Sequence, residues 1–431
     1  MDVIIWLLIG IILLIVLIFL RVDILIVAPI VSIFLCIVSG LDVVDAMTTG
    51  FMPAFAAFAQ NNFLVFASSA MFARAMQDTG MAASIAQTIS KKFGSRFAIF
   101  CVFGVSGLLT YGGVSLFVVV FVVYPIALQL FKEADLSRIL IPGAIAAGAF
   151  TWAPFCLPGS PQAGPIVATQ NLGTTLMAMP VLGIVCALFL CVLQAIYMRF
   201  VEQKSRKAGL HFEADTETEA QIVRLATLTL PNFFVSLVPM LVVLITLNAI
   251  GLPVYYCMAA GVVIAMVLGW RNIPNKLQML NAGVQSAIFA LINTCAANGF
   301  GGVAKMTSGF NDLVTMMTDT STMPPLVGLG VATTLIAGAC GSGTGGITVA
   351  LSTMAPIYLD MGVNAGLMHR VACLACCGLD SLPHNGAVVT LLNYCGVAHK
   401  DGYIHIGIMT VLMPIITLVF MIILAMAGLQ F

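Results

Sequence analysis

Apolar residues fall in long blocks separated by short polar breaks, and the length of the blocks is the first feature that reads as structure. Runs on the scale of a bilayer's roughly 30 Å of hydrocarbon, at about 1.5 Å rise per residue, are Val3–Leu20, Ile24–Ser39, Phe51–Arg74, Ile139–Gln170 and Met177–Phe200, followed by Leu230–Ile250, Pro253–Trp270, Met279–Phe300, Gly366–Tyr394 and Ile404–Leu429. They predict ten membrane spans. Two further runs do not fit this ruler: Phe97–Phe131 breaks at Thr110–Gly113, and Leu326–Tyr358 breaks at Cys340–Gly346. Their arms fall short of the bilayer thickness, so each run predicts a re-entrant hairpin with a Gly-rich tip near the midplane. Asp78-Thr79-Gly80 followed by Met81–Phe93 predicts a short helix along the interface.

The two halves of the chain can be laid over each other with a shift of about 229 residues, falling to about 222 near the end. Gly112-Gly113-Val114-Ser115 then meets Gly345-Gly346-Ile347-Thr348, and Ser160–Gly164 meets Leu382–Gly386. Each half holds five spans and one hairpin. An odd number of spans forces the second half to enter the membrane the other way up, so the sequence predicts two inverted-topology repeats, residues 1–200 and 229–431, joined by a connector at 201–228. The fold class expected is an all-α polytopic membrane protein of elevator-type transporter architecture.

Composition agrees. Of 431 residues 61% are hydrophobic and 8% charged, against about 25% charged in a soluble domain. So few charges cannot cover a water-facing surface of this size, which excludes an ordinary soluble enzyme. Net charge is zero and there is no basic run, so a nucleic-acid partner is excluded too. The 17 basic residues divide unevenly. With the connector placed in the cytoplasm, only Lys305 and Arg370 lie on the external side, which puts both termini outside and the protein in the cell's inner (cytoplasmic) membrane. Met1–Leu20 has no basic leader and no small-x-small cleavage site before the next apolar run, and is read as the first span.

The candidate chemistry lies where helices break. Four interrupted segments occupy corresponding positions in the two halves: the hairpin tips and the stretches Ala153–Gln162 and Gly378–Gly386. A helix that restarts inside a membrane presents unpaired N–H groups and the positive end of its dipole, a natural seat for a small carboxylate. Candidate substrate ligands are Gly112, Gly113, Ser115, Ser160, Gln162, Gly164, Ser342, Thr344, Gly345, Gly346, Thr348, Asn385 and Gly386. Close packing of helices is the competing role for such small residues.

Asp380 is the one acid placed deep within a span, where an ionisable group is costly and by default marks a proton relay or an ion ligand. His384 lies four residues on and is the candidate to share its proton; capping of the following half-helix is the alternative for Asp380. Gln60-Asn61-Asn62, Asn293 and Asn298 are candidates for a cavity lining or for interhelical bonding. Cys373, Cys376 and Cys377 lack the partners that a metal site needs, and the other cysteines sit in apolar stretches, so no metal, cofactor or disulfide framework is expected. Asp380 has no second deep acid to form a catalytic dyad, and five histidines are spread along the chain. No enzyme is expected.

Gly112-Gly113-Val114-Ser115-Leu116-Phe117, Pro142–Gly148, Pro161–Thr169 and Gly341-Ser342-Gly343-Thr344 together resemble the gluconate permease (GntP-type) family of the ion transporter superfamily, over essentially the whole chain. Gluconate carriers typically have Pro-Pro-His-Pro-Gly-Pro where this chain has Pro158–Pro165, a Glu near the first tip where it has Tyr111-Gly112-Gly113, and Ser-His-Val-Asn-Asp near Leu379–Asn385. The less polar lining is more similar to hydroxybutyrate-permease-like members. The resemblance therefore implies uptake of a short hydroxy monocarboxylate, such as 3-hydroxybutyrate, or of a gluconate-like sugar acid, together with H+. It also implies a homodimer in which a transport domain moves against a fixed scaffold. Sodium coupling and a passive anion channel are the alternatives that the residues leave open.

Overall fold

The structure, a computed structural model, describes residues 2–20, 22–214, 218, 219, 222, 229–273, 275–310, 312, 315, 323–383 and 385–429. Among these, every regular element is helical. The chain opens with α1 (Asp2–Phe19) and α2 (Ile24–Ser39), the second capped by the Asp23 carboxylate, which accepts the Leu25 N–H at 2.8 Å. A turn of helix at Val43–Asp45 and a π-helical segment, Ala46–Phe51, lead into the long α3 (Met52–Asp78). Next come α4 (Met81–Phe93), α5 (Ala98–Tyr111) and α6 (Leu116–Ala134). α7 (Ile141–Ala147) runs on through a π-helical segment, Gly148–Cys156, then breaks, and the chain restarts as α8 (Ala163–Leu172) before α9 (Pro180–Lys207).

The second half comprises, among the described residues, α10 (Phe233–Asn248), α11 (Val254–Leu268) and the long α12 (Lys276–Ala304), then the hairpin of α13 (Pro325–Cys340) and α14 (Gly343–Asp360). A broken pair follows, α15 (Ala365–Gly378) and α16 (Gly386–Tyr394). The last stretch is α17 (His399–Gly407), continued through a π-helical segment, Ile408–Leu412, into α18 (Met413–Met426).

Each apolar block is thus a helix or a broken helix, and both hairpins break where glycine interrupts the run. Among the described residues, four helical stretches are long and apolar enough to cross a bilayer, Arg138–Cys156, Pro180–Lys207, Lys276–Ala304 and His399–Met426, or five if the bent pair Met81–Phe93 and Ser95–Tyr111 is one span. Helices such as α2 and α10 have 16 residues each, about 24 Å at the helical rise. The expected interfacial helix, α4, meets the following helix at a bend of 104° and buries Met81, Ala82, Ile85 and Ala86 against the rest of the molecule. The second tip is tighter than expected. Ser342 Oγ accepts the Gly345 N–H at 3.2 Å and caps α14, so the helix starts at Gly343, and Gly345 and Gly346 belong to its first turn.

The long helices α3 and α12 lie side by side and antiparallel. A Cβ on Gly302 would stand 2.4 Å from the Gly50 carbonyl oxygen, and one on Gly283 would stand 2.8 Å from Met71 Cα. Backbone touches backbone here, as small residues permit in membrane helix pairs. Gly302→Ala must push the helices apart, and we expect a loss of about 1–3 kcal/mol, read as a lowered thermal midpoint in detergent; an unchanged midpoint would contradict this contact.

The connector begins as helix. α9 carries through position 201 to Lys207, and the buried Glu202 carboxylate binds Arg199 (3.0 Å) and Arg206 (3.2 Å). Beyond it, His211 Nδ1 lies 2.7 Å from Asp135 Oδ2, and the Phe212 N–H donates to Asp135 Oδ1 at 3.1 Å. The His211 hydrogen bond, then that of Phe212, hold the Asp135 carboxyl below its ordinary value of 3.8. A carboxyl whose folded value is depressed stabilises its tether above the ordinary value, and that contribution is lost as pH falls through the folded one. Pepsin cleavage within 208–214 should therefore rise as pH drops below 3.8, and Asp135→Asn should remove this pH dependence.

Candidate functional site

The sequence-selected residues of the first half meet at the first hairpin tip. Gly112 and Gly113 are buried, and Gly113 adopts φ 93°, the left-handed region that glycine enters without strain. A Cβ on Gly113 would press on Met258 of α11 (3.1 Å), Phe72 of α3 (3.4 Å) and Pro161 of the first break (3.5 Å). Ser115 holds the N-cap position of α6 with no cap bond of its own. Gln162, at the N-cap of α8, donates from Nε2 to the Thr110 carbonyl at 2.7 Å, and Tyr111 donates its hydroxyl to the Pro158 carbonyl at 2.9 Å. Hairpin tip and break are stitched together. Ser160, within that break, is fully buried and its Oγ has no hydrogen-bond partner among the described residues.

The second half repeats the stitch with different residues. Asn385 caps α16, its Oδ1 accepting the N–H groups of Ala387 (2.7 Å) and Val388 (3.1 Å), while its Nδ2 donates to the Gly341 carbonyl at 2.9 Å. Capping of this half-helix therefore falls to Asn385 and not to Asp380. Gly386 opens the helix with free space around it. Thr348 donates back to the Thr344 carbonyl at 2.7 Å. Gly346 packs: a Cβ there would lie 2.3 Å from Ala337 Cα, inside the hairpin's other arm. His384 lies outside the described residues.

The two sets converge on Phe155. Its ring passes 2.8 Å from the place of a Cβ on Gly164, at the start of α8, and 3.4 Å from that on Gly343, at the start of α14. Asp380 closes the group. It is 8% exposed, accepts the Ser381 hydroxyl at 2.7 Å through Oδ1, and turns Oδ2 to Gly343, 2.8 Å from where a Cβ would stand. Two helix N-termini and one carboxyl thus surround a single aromatic ring. Sequence reasoning did not single out Phe155 or Gly343; the available signal was an aromatic residue inside a Gly/Pro-rich break.

A cavity of about 350 Å3 lies between the α3–α12 pair on one side and α8 with α14 on the other. Asn61, Asn62 and Asn298 line it, as does Thr348, together with Gln170, Asn171 and Lys305, which were not in the expected lining. Asn62 and Asn298 each give one amide hydrogen to their own helix, to Phe58 O (3.0 Å) and Thr294 O (2.8 Å). Gln60 and Asn293 are not among the lining residues. Among the described residues, no group of three His, Cys, Asp or Glu side chains is placed to hold a metal ion.

The sequence matches the GntP family permeases over residues 2–427. It is similar to the uncharacterized transporter YxjC of Bacillus subtilis, 33% identical over 429 residues, covering 89% of this chain and 91% of that one. An uncharacterized transporter of Haemophilus influenzae is 26% identical over 328 residues, 74% of this chain and 73% of its own. Among solved structures, the YdaH transporter of Alcanivorax borkumensis shares the fold with a TM-score of 0.51 at 12% identity, over 88% of this chain and 87% of that one. Family, apolar helices and fold agree, and the chain belongs to the GntP permease family, a multi-pass membrane transporter and not an enzyme.

Proposed function

We propose that this permease is a secondary active carrier that takes up a short hydroxy monocarboxylate, of the 3-hydroxybutyrate or sugar-acid class, with H+. The observation that carries the reading is the convergence of the α8 and α14 N-termini on Phe155, with the Asp380 carboxyl against Gly343. Partial positive charge at two helix starts suits a carboxylate, and a buried carboxyl at the same place is suited to a proton. Packing supports two inverted repeats, 1–200 and 229–431: α8 packs on the hairpin arm α14 of the other half, and α16 packs on the hairpin arm α6, where Phe121 meets Tyr394 at 4.6 Å and Tyr124 donates to the Cys395 carbonyl. Each broken span leans on the other half's hairpin. An elevator-like carrier needs such an exchange, because the parts that move together must come from both repeats.

The test is uptake into proteoliposomes of hydroxy acids of three to six carbons, with an imposed pH gradient or sodium gradient. Concentrative uptake that follows the pH gradient and is stimulated by substrate on the far side supports the reading. Uptake that follows sodium alone overturns the coupling, and flux without trans-stimulation indicates a channel. A reporter fused after Phe431 should read external; a cytoplasmic reading would overturn the orientation.

A further inference from the structure

We infer that the cavity between α3–α12 and α8–α14 is an anion site held by Lys305, the entry station for the carboxylate that the transporter reading above requires. Lys305 is one of two basic residues on the external side in the charge count, and the two are used differently. Arg370 is fully buried and gives its Nε and Nη2 donors to the Ala178 and Leu176 carbonyls. Lys305 ends α12, where a cation complements the helix dipole, and its Nζ faces the cavity, donating to the Ser352 hydroxyl at 2.7 Å. That hydroxyl is a neutral partner, so the charge is not cancelled. No acid lines the cavity, and among the described residues Lys305 has no carboxylate partner.

An ammonium facing the space enclosed by five side-chain amides is positive overall and rich in hydrogen-bonding groups. Asn62 and Asn298 each retain an amide oxygen and a second amide hydrogen after bonding their own helices. Oxygens that accept, beside one ammonium that donates, match a carboxylate carrying hydroxyl groups. A volume of about 350 Å3 admits a molecule of a few carbons and lies at the small end for ligand pockets. The walls belong to different bodies in the proposed carrier. α8 and α14 lead back to Phe155 and Asp380, and α3–α12 is the tightly packed pair, so a bound anion would touch both the moving part and the fixed part.

The test separates the site from the transported substrate. A cysteine introduced at Ala57, which lines the cavity, is reacted with a sulfonate-bearing and with an ammonium-bearing methanethiosulfonate of similar size, and the label is located by mass spectrometry. With Lys305 present, the anionic reagent should react faster by about fivefold or more, and Lys305→Gln should bring the ratio close to one. Equal rates, or a preference that Lys305→Gln leaves in place, would overturn the site. In transport, Lys305→Gln should raise KM for 3-hydroxybutyrate by about tenfold and Lys305→Arg by much less, since one charged hydrogen bond is lost or kept. An unchanged KM in Lys305→Gln overturns the entry station and leaves the carrier reading intact. Charge-selective labelling without uptake of any hydroxy acid supports the anion site and overturns the carrier's substrate class. Lys305→Arg should keep the labelling preference, which guards against misreading a Gln variant that folds poorly.

Discussion

Asp380→Asn is expected to abolish accumulation driven by a pH gradient while leaving exchange of substrate across the membrane intact. Asn has nearly the same shape and keeps an oxygen to accept the Ser381 hydroxyl, which Asp380 accepts at 2.7 Å; what it cannot do is carry a proton. The native carboxyl is under two opposed influences. Its surroundings are buried protein, which disfavours charge by several kcal/mol, while the start of α14 beside Gly343 favours an anion by up to about 2 kcal/mol. Among the described residues no cation pairs with it. The two influences oppose each other, so on the proposed mechanism a change in access to water or substrate shifts the proton. Substrate accumulation in proteoliposomes should therefore fall to about the level of passive equilibration, with counterflow retained. Gly343→Ala would put a methyl 2.8 Å from Asp380 Oδ2 and should weaken coupling by displacing the carboxyl. Concentrative uptake with an unaltered pH profile in Asp380→Asn would remove Asp380 from the coupling step.

The places where the chain breaks were legible in the sequence because their causes are local. Pro158, Pro161 and Pro383 donate no N–H, and Gly113, Gly159 and Gly341 adopt positive φ, so each interruption is written in the residues that make it. The partners of those breaks were not legible. Gln162 reaches a carbonyl 52 positions away and Asn385 one 44 positions away, and nothing at either residue announces which backbone it will meet. Glycines were ambiguous for the same reason. Gly346 and Gly386 look alike in a helix-start pattern, yet one is filled by Ala337 at 2.3 Å and the other faces open space. Lys305 was visible as an exception to the charge count, but its role depends on Ser352 and on amides from two other helices, α3 and α8, as well as from α12. The π-helical turns at 46–51, 148–156 and 408–412 left no mark in the apolar pattern, since one extra residue in a turn changes hydrogen-bond register and not composition.

Arg370→Ala should be the most destabilising single truncation near the first break. The side chain is fully buried on α15 and reaches across to the segment that joins α8 to α9, where Nε donates to Ala178 O and Nη2 to Leu176 O at 2.8 Å. Leu176 O also accepts the Gly159 N–H at 2.9 Å, so one carbonyl holds both the arginine and the break that contains Ser160. Truncation leaves an unfilled volume, which costs about 2–5 kcal/mol for a large buried side chain, and weakens the satisfaction of two buried carbonyls at about 1–3 kcal/mol each. One term acts in the opposite direction. Arg370 has no acidic partner among the described residues and its Nη1 is unpartnered, so removing it also removes a buried charge that cost several kcal/mol to desolvate. The balance favours a net loss of about 3 kcal/mol, because two of the three guanidinium nitrogens are already satisfied and only the third gains by removal. Arg370→Lys keeps the charge but has a single ammonium in place of a planar fork and cannot serve both carbonyls in the same geometry, so it should fall between wild type and Ala. Thermal midpoints of the three purified proteins in detergent give the order directly. An Arg370→Ala midpoint equal to that of the wild type would mean that the two carbonyls find water, and that the break is held by Gln162 and Tyr111 without the arginine.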